Sequence, residues 1–337
     1  MSMKMAFFLA HDPGGADVVL PVADWFKQQG LHVLVYCVGP AALLHNHVAA
    51  TEAECMHRLE TVIMTGELSL LVTGTSWNSD FEIRCWLYCR QRGIPTATIL
   101  DYWTNYKLRC TEEDGEEVYP DHYIVMDNLA YQEAIREGVP EGIIRVLGQP
   151  GLDRFVQRKF LKHSGGGRES PRKALFLSQP LSQLYGTSLG YNEKSVIPDL
   201  VRLFDSRQDW RFLIKFHPKD GAELKSEYCR YAVEGDLIEW LGKVDLVIGM
   251  NSMGLLHAYL WNKPVISYQP DLQKADLCIT NKLQLTKSIY SYTELEASFE
   301  RLVEEGRSGE MEHAERPIWL DGRSTERIGM FLKGIAI

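Results

Sequence analysis

Short, unbroken apolar runs recur along the chain, separated by longer stretches in which apolar positions return at helical spacing. Met5–Ala10, Leu31–Val38, Leu68–Thr73, Pro95–Leu100, His122–Met126 and Ile143–Leu147 are predicted strands. Between them, Ala16–Gln29, a mostly helical stretch through Glu60, Phe81–Arg92 and Leu129–Glu137 are predicted helices. Continuous rather than alternating apolar runs suit parallel strands covered on both faces. Their alternation with helices predicts βαβ units and a doubly wound α/β sheet.

The pattern then breaks. Lys162–Arg172 carries three glycines, serines and charges, too little apolar surface for a core, and is predicted to be a linker. Alternation resumes with strands Ala174–Leu177, Phe212–Phe216, Leu246–Gly249 and Val265–Tyr268, and helices Glu193–Phe204, Met253–Trp261, Tyr292–Glu305 and Ser324–Lys333. The expected organisation is an N-terminal Rossmann-like domain over 1–160, a linker over 161–172, a second Rossmann-like domain over 173–316, and a C-terminal helix over 317–337. Two such sheets would face a cleft with the C-terminal ends of their strands, where ligands bind in this class of fold.

Composition narrows the function. The 337 residues suit two domains, and a net charge of -9 argues against general nucleic-acid binding. The seven cysteines have no spacing of a disulfide framework, and Cys85 and Cys89 lack two further ligands for a metal. No apolar run is long enough for a membrane span, so the expectation is a cytoplasmic protein with at most loose membrane association.

The chemistry-bearing residues cluster after strands. His11-Asp12-Pro13-Gly14-Gly15 follows the first strand; His11 or Asp12 can act as a general base there, and the glycines permit close approach of a ligand, unless the segment is a plain tight turn. It lacks the spacing of a dinucleotide fingerprint. Asp101, Asn105 and Arg109 lie among aromatic residues after another strand, a mixture suited to a sugar or phosphate, or to a surface loop whose rings tuck into the core. In the second half, Ser178 and Gln179 follow its first strand, Lys215 and His217 end another, and Asn251-Ser252-Met253-Gly254 lead into a helix that also carries His257. The helix start can receive phosphate through its amides and dipole, or Asn251 and Ser252 can only cap it. His217 with Lys215 can neutralise a departing diphosphate.

In this order the segments resemble the GT-B glycosyltransferase superfamily, with likeness to its UDP-N-acetylglucosamine 2-epimerase-like and bacterial capsule or CDP-glycerol polysaccharide transferase-like branches. The carrying residues are Gly14-Gly15, Gly148-Gln149-Pro150-Gly151-Leu152-Asp153, Lys215-Phe216-His217-Pro218, Asn251-Ser252-Met253-Gly254 before Lys263-Pro264-Val265, and Asp321-Gly322-Arg323-Ser324-Thr325-Glu326-Arg327. The resemblance implies two Rossmann-like domains, with the C-terminal helix packing on the first. It implies a nucleotide held by the second, with His217 and the Ser252–Gly254 amides at the phosphates. Where such proteins carry a ribose-binding Glu, this chain has His257, and the epimerases' Asp-Ser-Gly-Gly is altered to Asn251-Ser252-Met253-Gly254.

The expected function is therefore a metal-independent glycosyltransferase of cell-surface polysaccharide or glycoconjugate synthesis. Asp12 or His11 would be its base, Ser178, Gln179, Lys215, His217, Asn251, Ser252, Met253, Gly254 and His257 would bind the donor, and Gly14, Gly15, Asp101, Asn105 and Arg109 the acceptor or sugar. Its partners would be a UDP- or CDP-type nucleotide-sugar and a glycan or small hydroxyl acceptor, with no tightly bound cofactor and a possible homo-oligomeric state. The alternatives are a sugar-nucleotide 2-epimerase or hydrolase of the same fold, and a non-catalytic nucleotide-binding subunit.

Overall fold

The computed structural model describes residues 4–76, 79–159, 171–305 and 317–336. Most of the expected linker lies outside the described residues. The chain forms two compact units, one of Met1–Gln157 with Glu315–Ile337 and one of Arg158–Ala314.

Unit 1 runs β1 (Met5–Ala10), α1 (Pro13–Gln28), β2 (His32–Cys37), α2 (Gly39–Ala42), α3 (Glu52–Met64), β3 (Leu68–Thr73), α4 (Phe81–Arg90), β4 (Thr96–Ile99), β5 (His122–Val125), α5 (Asn128–Glu137), β6 (Ile144–Val146) and α6 (Pro150–Lys159). Its six strands pair in the order β2-β1-β3-β4-β5-β6, all parallel. The chain leaves β1 toward β2 and returns on β1's other side as β3. The topological switch point therefore lies between the C-terminal tips of β1 and β3, where ligands bind in open α/β sheets.

Unit 2 runs β7 (Arg172–Leu177), α7 (Leu181–Tyr185), α8 (Glu193–Asp205), β8 (Trp210–Lys215), α9 (Ala222–Glu227), α10 (Leu237–Leu241), β9 (Leu246–Gly249), α11 (Met253–Leu260), β10 (Val265–Tyr268), α12 (Ile279–Lys282), β11 (Ser288–Ile289) and α13 (Tyr292–Glu305). Five parallel strands pair in the order β11-β10-β9-β7-β8. The same reversal puts this switch point between β7 and β9.

Both sheets are buried on both faces, as the unbroken apolar runs require. In unit 1, Ala6, Phe8, Leu70 and Val72 pack with Val19, Val22 and Phe26 of α1. The last helix, α14 (Ser324–Ala336), joins that cluster through Ile328 and Leu332. In unit 2, Phe176, Ile214 and Ile248 face α8 and α13, while Leu175, Val247 and Leu255 form the core on the other side.

Elements begin and end for local reasons. Thr51 and Glu54 form a reciprocal capping box that starts α3. Asn192 accepts the Lys194 amide at the start of α8. Helix α1 begins at Pro13, earlier than its apolar spacing indicates, because proline at the first helical position loses no hydrogen bond. Gly14 and Gly15 are thus in the first helical turn rather than in a preceding loop. Asp12 is the N-cap residue, yet its side chain makes no capping hydrogen bond. The two segments Gly148–Asp153 and Asp321–Arg327 meet in unit 1: Asp153 accepts the amides of Ser324 and Thr325 at 3.0 and 2.7 Å, and Arg327 donates to the Leu147 carbonyl at 2.9 Å.

Candidate functional site

The tips beside the first switch point carry His11 and Asp12 after β1, Gly74, Thr75 and Ser76 after β3, and Asp101 after β4. His11 and Asp12 are joined, with Nδ1 of the ring 2.9 Å from Oδ1 of the carboxylate. The ring is nearly enclosed. Its Nε2 is 3.7 Å from a Glu52 oxygen, and Gly39 lies so close that a Cβ there would come within 2.4 Å of Nε2. Asp12 is the more exposed member, its side chain 24% accessible against 11% for His11. The pair therefore presents a carboxylate backed by an imidazole. The His11 pKa is raised above its ordinary value, chiefly by the hydrogen bond its ring donates to Asp12, against burial, with the charges of Glu82, Asp12 and Glu52 adding to the rise.

Asp101 is anchored. One oxygen accepts from Arg109 at 2.6 Å, and that buried guanidinium also donates to the Thr75 hydroxyl at 2.7 Å and the Thr104 carbonyl at 3.1 Å. The other oxygen lies over the start of α1, where a Cβ on Gly14 would meet it at 1.9 Å. A carboxylate at that position is favoured by the helix dipole. Gly15 packs on Gly74 with similar closeness, since a Cβ on Gly74 would come within 2.7 Å of the Gly15 Cα. In unit 1 these glycines accommodate the protein's own backbone and the Asp101 carboxylate. Asn105 adopts a left-handed backbone with φ 60° and accepts the Arg109 amide at 3.1 Å.

The sequence patterns gave no sign of Glu82. It sits in the first turn of α4, only 2% exposed, and its Oε1 accepts the His11 amide at 3.3 Å. Burial pushes its carboxyl up to about 7, against the nearby Ser76 hydroxyl and His11, which pull it down.

At the second switch point, Gln179 after β7 accepts the Asn251 amide after β9 at 3.1 Å, tying the two tips together. Ser252 caps α11 by accepting the Gly254 amide at 3.1 Å, so that donor is already engaged. Gly254 itself admits Leu177, whose Cδ1 would be 2.5 Å from a Cβ placed there. The reason for this glycine is core packing beneath the helix start. Ser178 is buried beside Asp220. His257 is one turn further along α11 and half-buried.

His217 is positioned by its own loop. Its amide donates to Asp220 at 2.8 Å, and its Nδ1 accepts the Lys219 amide at 3.1 Å. With Nδ1 an acceptor, the proton of the neutral ring sits on Nε2, which is left as a donor. Burial lowers the His217 pKa, aided by Lys219 and Lys225 against Asp220, so the neutral ring prevails at neutral pH. Lys215 donates its ammonium to the Gly235 carbonyl. Asp220, 5% exposed, is the second residue the sequence patterns missed; only its place three residues after a strand-end histidine could have pointed to it.

Among the described residues no cluster of His, Cys, Asp and Glu is arranged to hold a metal ion, and no helix is long and apolar enough to cross a membrane. Chemically, unit 1 offers a carboxylate–imidazole pair and a second, fixed carboxylate around one helix start. Unit 2 offers a neutral imidazole donor at the tip of β8 and a capped helix N-terminus after β9.

No protein-family description matches the chain, and no curated protein is similar to it in sequence. Solved structures are similar in fold. A UDP-GlcNAc 2-epimerase from Neisseria meningitidis, bound to UDP-GlcNAc, is 12% identical over 98% of this chain and 100% of its own, with a TM-score of 0.69. The UDP-GlcNAc 2-epimerase of Methanocaldococcus jannaschii is 11% identical over 98% and 100% of the two chains, with a TM-score of 0.67. The glycotransferase of kitacinnamycin is 12% identical over 100% of both, with a TM-score of 0.58. At such identities the likeness establishes the fold: this chain has the two Rossmann-like sheets of GT-B proteins.

Proposed function

We propose that the protein binds a nucleoside-diphosphate sugar of the UDP type in unit 2 and breaks the bond between the anomeric carbon and the diphosphate, with Asp12 of unit 1 as the proton-transfer group. The observation that carries this reading is that each unit carries chemistry at its strand tips: an acid–base pair after β1 in unit 1, and in unit 2 a neutral imidazole donor after β8 together with a capped helix start after β9. In unit 2, Nε2–H of His217 would donate to a diphosphate oxygen and the dipole of α11 would favour the charge that grows as the bond breaks. Lys215, Ser178 and Gln179 would shape that site, and His257 would stand near the ribose.

We put 2-epimerisation first, in place of the glycosyl transfer that the sequence motifs led us to expect. The C2–H of a sugar is not acidic by itself, so its removal has to accompany loss of the diphosphate from the neighbouring carbon. Re-addition with the proton delivered to the other face then inverts C2. Asp12 and Asp101 border the same helix start, which suits a reaction needing carboxylates on both sides of a ring. Support also comes from the solved structures of like fold, which are named as UDP-GlcNAc 2-epimerases more often than as transferases.

Transfer to an acceptor hydroxyl is the second reading, favoured by one feature of unit 1. A groove of about 670 Å³ lies along α1, lined by Asp17, Pro21, Trp25, His45, Arg154 and Arg323 among others. Asp17 faces Arg154 at 3.7 Å and Arg323 pairs with Glu326 at 2.9 Å, so most of its charge is internally balanced. An indole beside neutralised polar groups suits an uncharged saccharide.

Incubation with UDP-GlcNAc in D2O, without acceptor, tests the first reading. The expected result is deuterium at C2 and a second epimer in the NMR spectrum. Release of UDP only when a saccharide is added would replace epimerisation by transfer. No turnover of any nucleotide-sugar under either condition would refute both.

A further inference from the structure

Glu82 stands apart from the residues assigned above, because no strand tip carries it and no ligand would reach it. It lies in the first turn of α4, 2% exposed, under the tips of β1 and β3. A buried carboxyl that can ionise is costly unless it is held by partners. Its Oε1 accepts the His11 amide at 3.3 Å, and a Cβ on Gly74 would approach that oxygen to 3.4 Å. Its Oε2 and the neighbouring Ser76 hydroxyl are both buried without a well-formed hydrogen bond among the described residues. So an under-satisfied acid is directed at the residue that backs Asp12.

We propose that Glu82 is a positioning residue for the Asp12–His11 pair, its buried carboxyl fixing the backbone of His11 from below and setting the charge that the ring carries beside Asp12. The proposal rests on the reading that this pair moves the proton, and extends it to a group that never touches substrate.

Electrostatics supports the geometry. Glu82 raises the affinity of His11 for its proton, and His11 in turn eases ionisation of Glu82. The other groups facing His11 are Asp12 and Glu52, and Glu52 is itself paired with Arg84 at 2.9 Å. Arg109, Cys85 and Cys110 are the remaining titratable groups that feel Glu82. The sign follows: an anion removed from beside His11 lowers its pKa, so the ring loses its proton at lower pH. With a neutral ring, Asp12 keeps a hydrogen-bond donor only in one tautomer and loses the adjacent positive charge.

The test is an NMR titration of the His11 imidazole in the full chain, wild type against Glu82→Gln and Glu82→Asp, with circular dichroism to verify folding. The Gln variant should lower the His11 midpoint by roughly one pH unit, the scale of losing one nearby charge. The Asp variant, which keeps the charge, should recover most of the shift. In wild type, the carboxyl carbon of Glu82 should titrate near neutrality with an inflection shared with His11, a readout that needs no variant. An unchanged His11 midpoint in a folded Gln variant, or a wild-type Glu82 that titrates independently of His11, would overturn the proposal. With UDP-GlcNAc, Glu82→Gln should lower kcat about tenfold or more at an unchanged KM, and shift the pH profile in the direction of the NMR midpoint. Absence of any turnover by the wild type would count against the functional reading, while the titration would still decide the role of Glu82.

Discussion

His217 shows how a single residue can be made useful by its neighbours' backbone. The Lys219 amide at Nδ1 decides the tautomer, and burial keeps the ring neutral, so one N–H is left to donate. Replacing it, His217→Ala, should weaken UDP binding by about 10- to 100-fold in calorimetry, the loss of one hydrogen bond to a charged group. Glu82 makes a second prediction at this scale. Its folded pKa of about 7 lies above the ordinary carboxyl value of 4.5, so the unfolded chain releases this proton first as pH rises. Stability from this group is complete below about 4.5 and is lost between there and about 7. Glu82→Gln should therefore gain stability relative to wild type as pH rises from about 4.5 to about 7, and keep that advantage above it, in denaturant titrations. The residues at strand ends were legible in sequence because an apolar run that stops in His-Asp or His-Pro marks a tip. Glu82 was not, since a glutamate in a helix reads as solvent-facing, and its bond to the His11 amide spans 71 residues of sequence.

Elements were legible wherever hydrophobic spacing alone determined them. Strand β1 runs over Met5–Ala10, as its apolar run predicts, whereas α1 starts three residues before its apolar stripe because Pro13 can open a helix. Short helices such as α7 and α10 carry too few apolar repeats to be seen. The segments Gly148–Asp153 and Asp321–Arg327 were visible as motifs, yet their meeting was not, because sequence spacing says nothing about a contact across 171 residues. Asp153 satisfies two amides that α14 would otherwise leave open. Asp153→Ala should thus cost about 1–3 kcal/mol in chemical denaturation, while Asp153→Asn, which keeps an acceptor, should cost less. Gly254→Ala forces a methyl against Leu177 and should destabilise by about 1–3 kcal/mol, with a lower thermal midpoint.

At the scale of the whole molecule, two open sheets repeat one topological device. In each, the first strand sends the chain one way and receives it back on the other side; His11 and Asp12 sit at the first reversal and Gln179 and Asn251 at the second, while Asp101 and His217 follow the next strands, β4 and β8. The α/β class and its two sheets could be read from unbroken apolar runs alternating with helices. The fate of the glycosyl group could not, because transfer and epimerisation place similar demands on a nucleotide site. Under the proposed function, nucleotide affinity belongs to unit 2 and proton transfer to unit 1. The most direct test of that division is a UDP titration of His217→Ala and Asp12→Asn in parallel with wild type, followed by turnover of UDP-GlcNAc. Asp12→Asn should bind UDP as wild type does but no longer turn the sugar over, while His217→Ala should lose affinity. Equal UDP affinity in His217→Ala and wild type, or weakened UDP binding in Asp12→Asn, would contradict it.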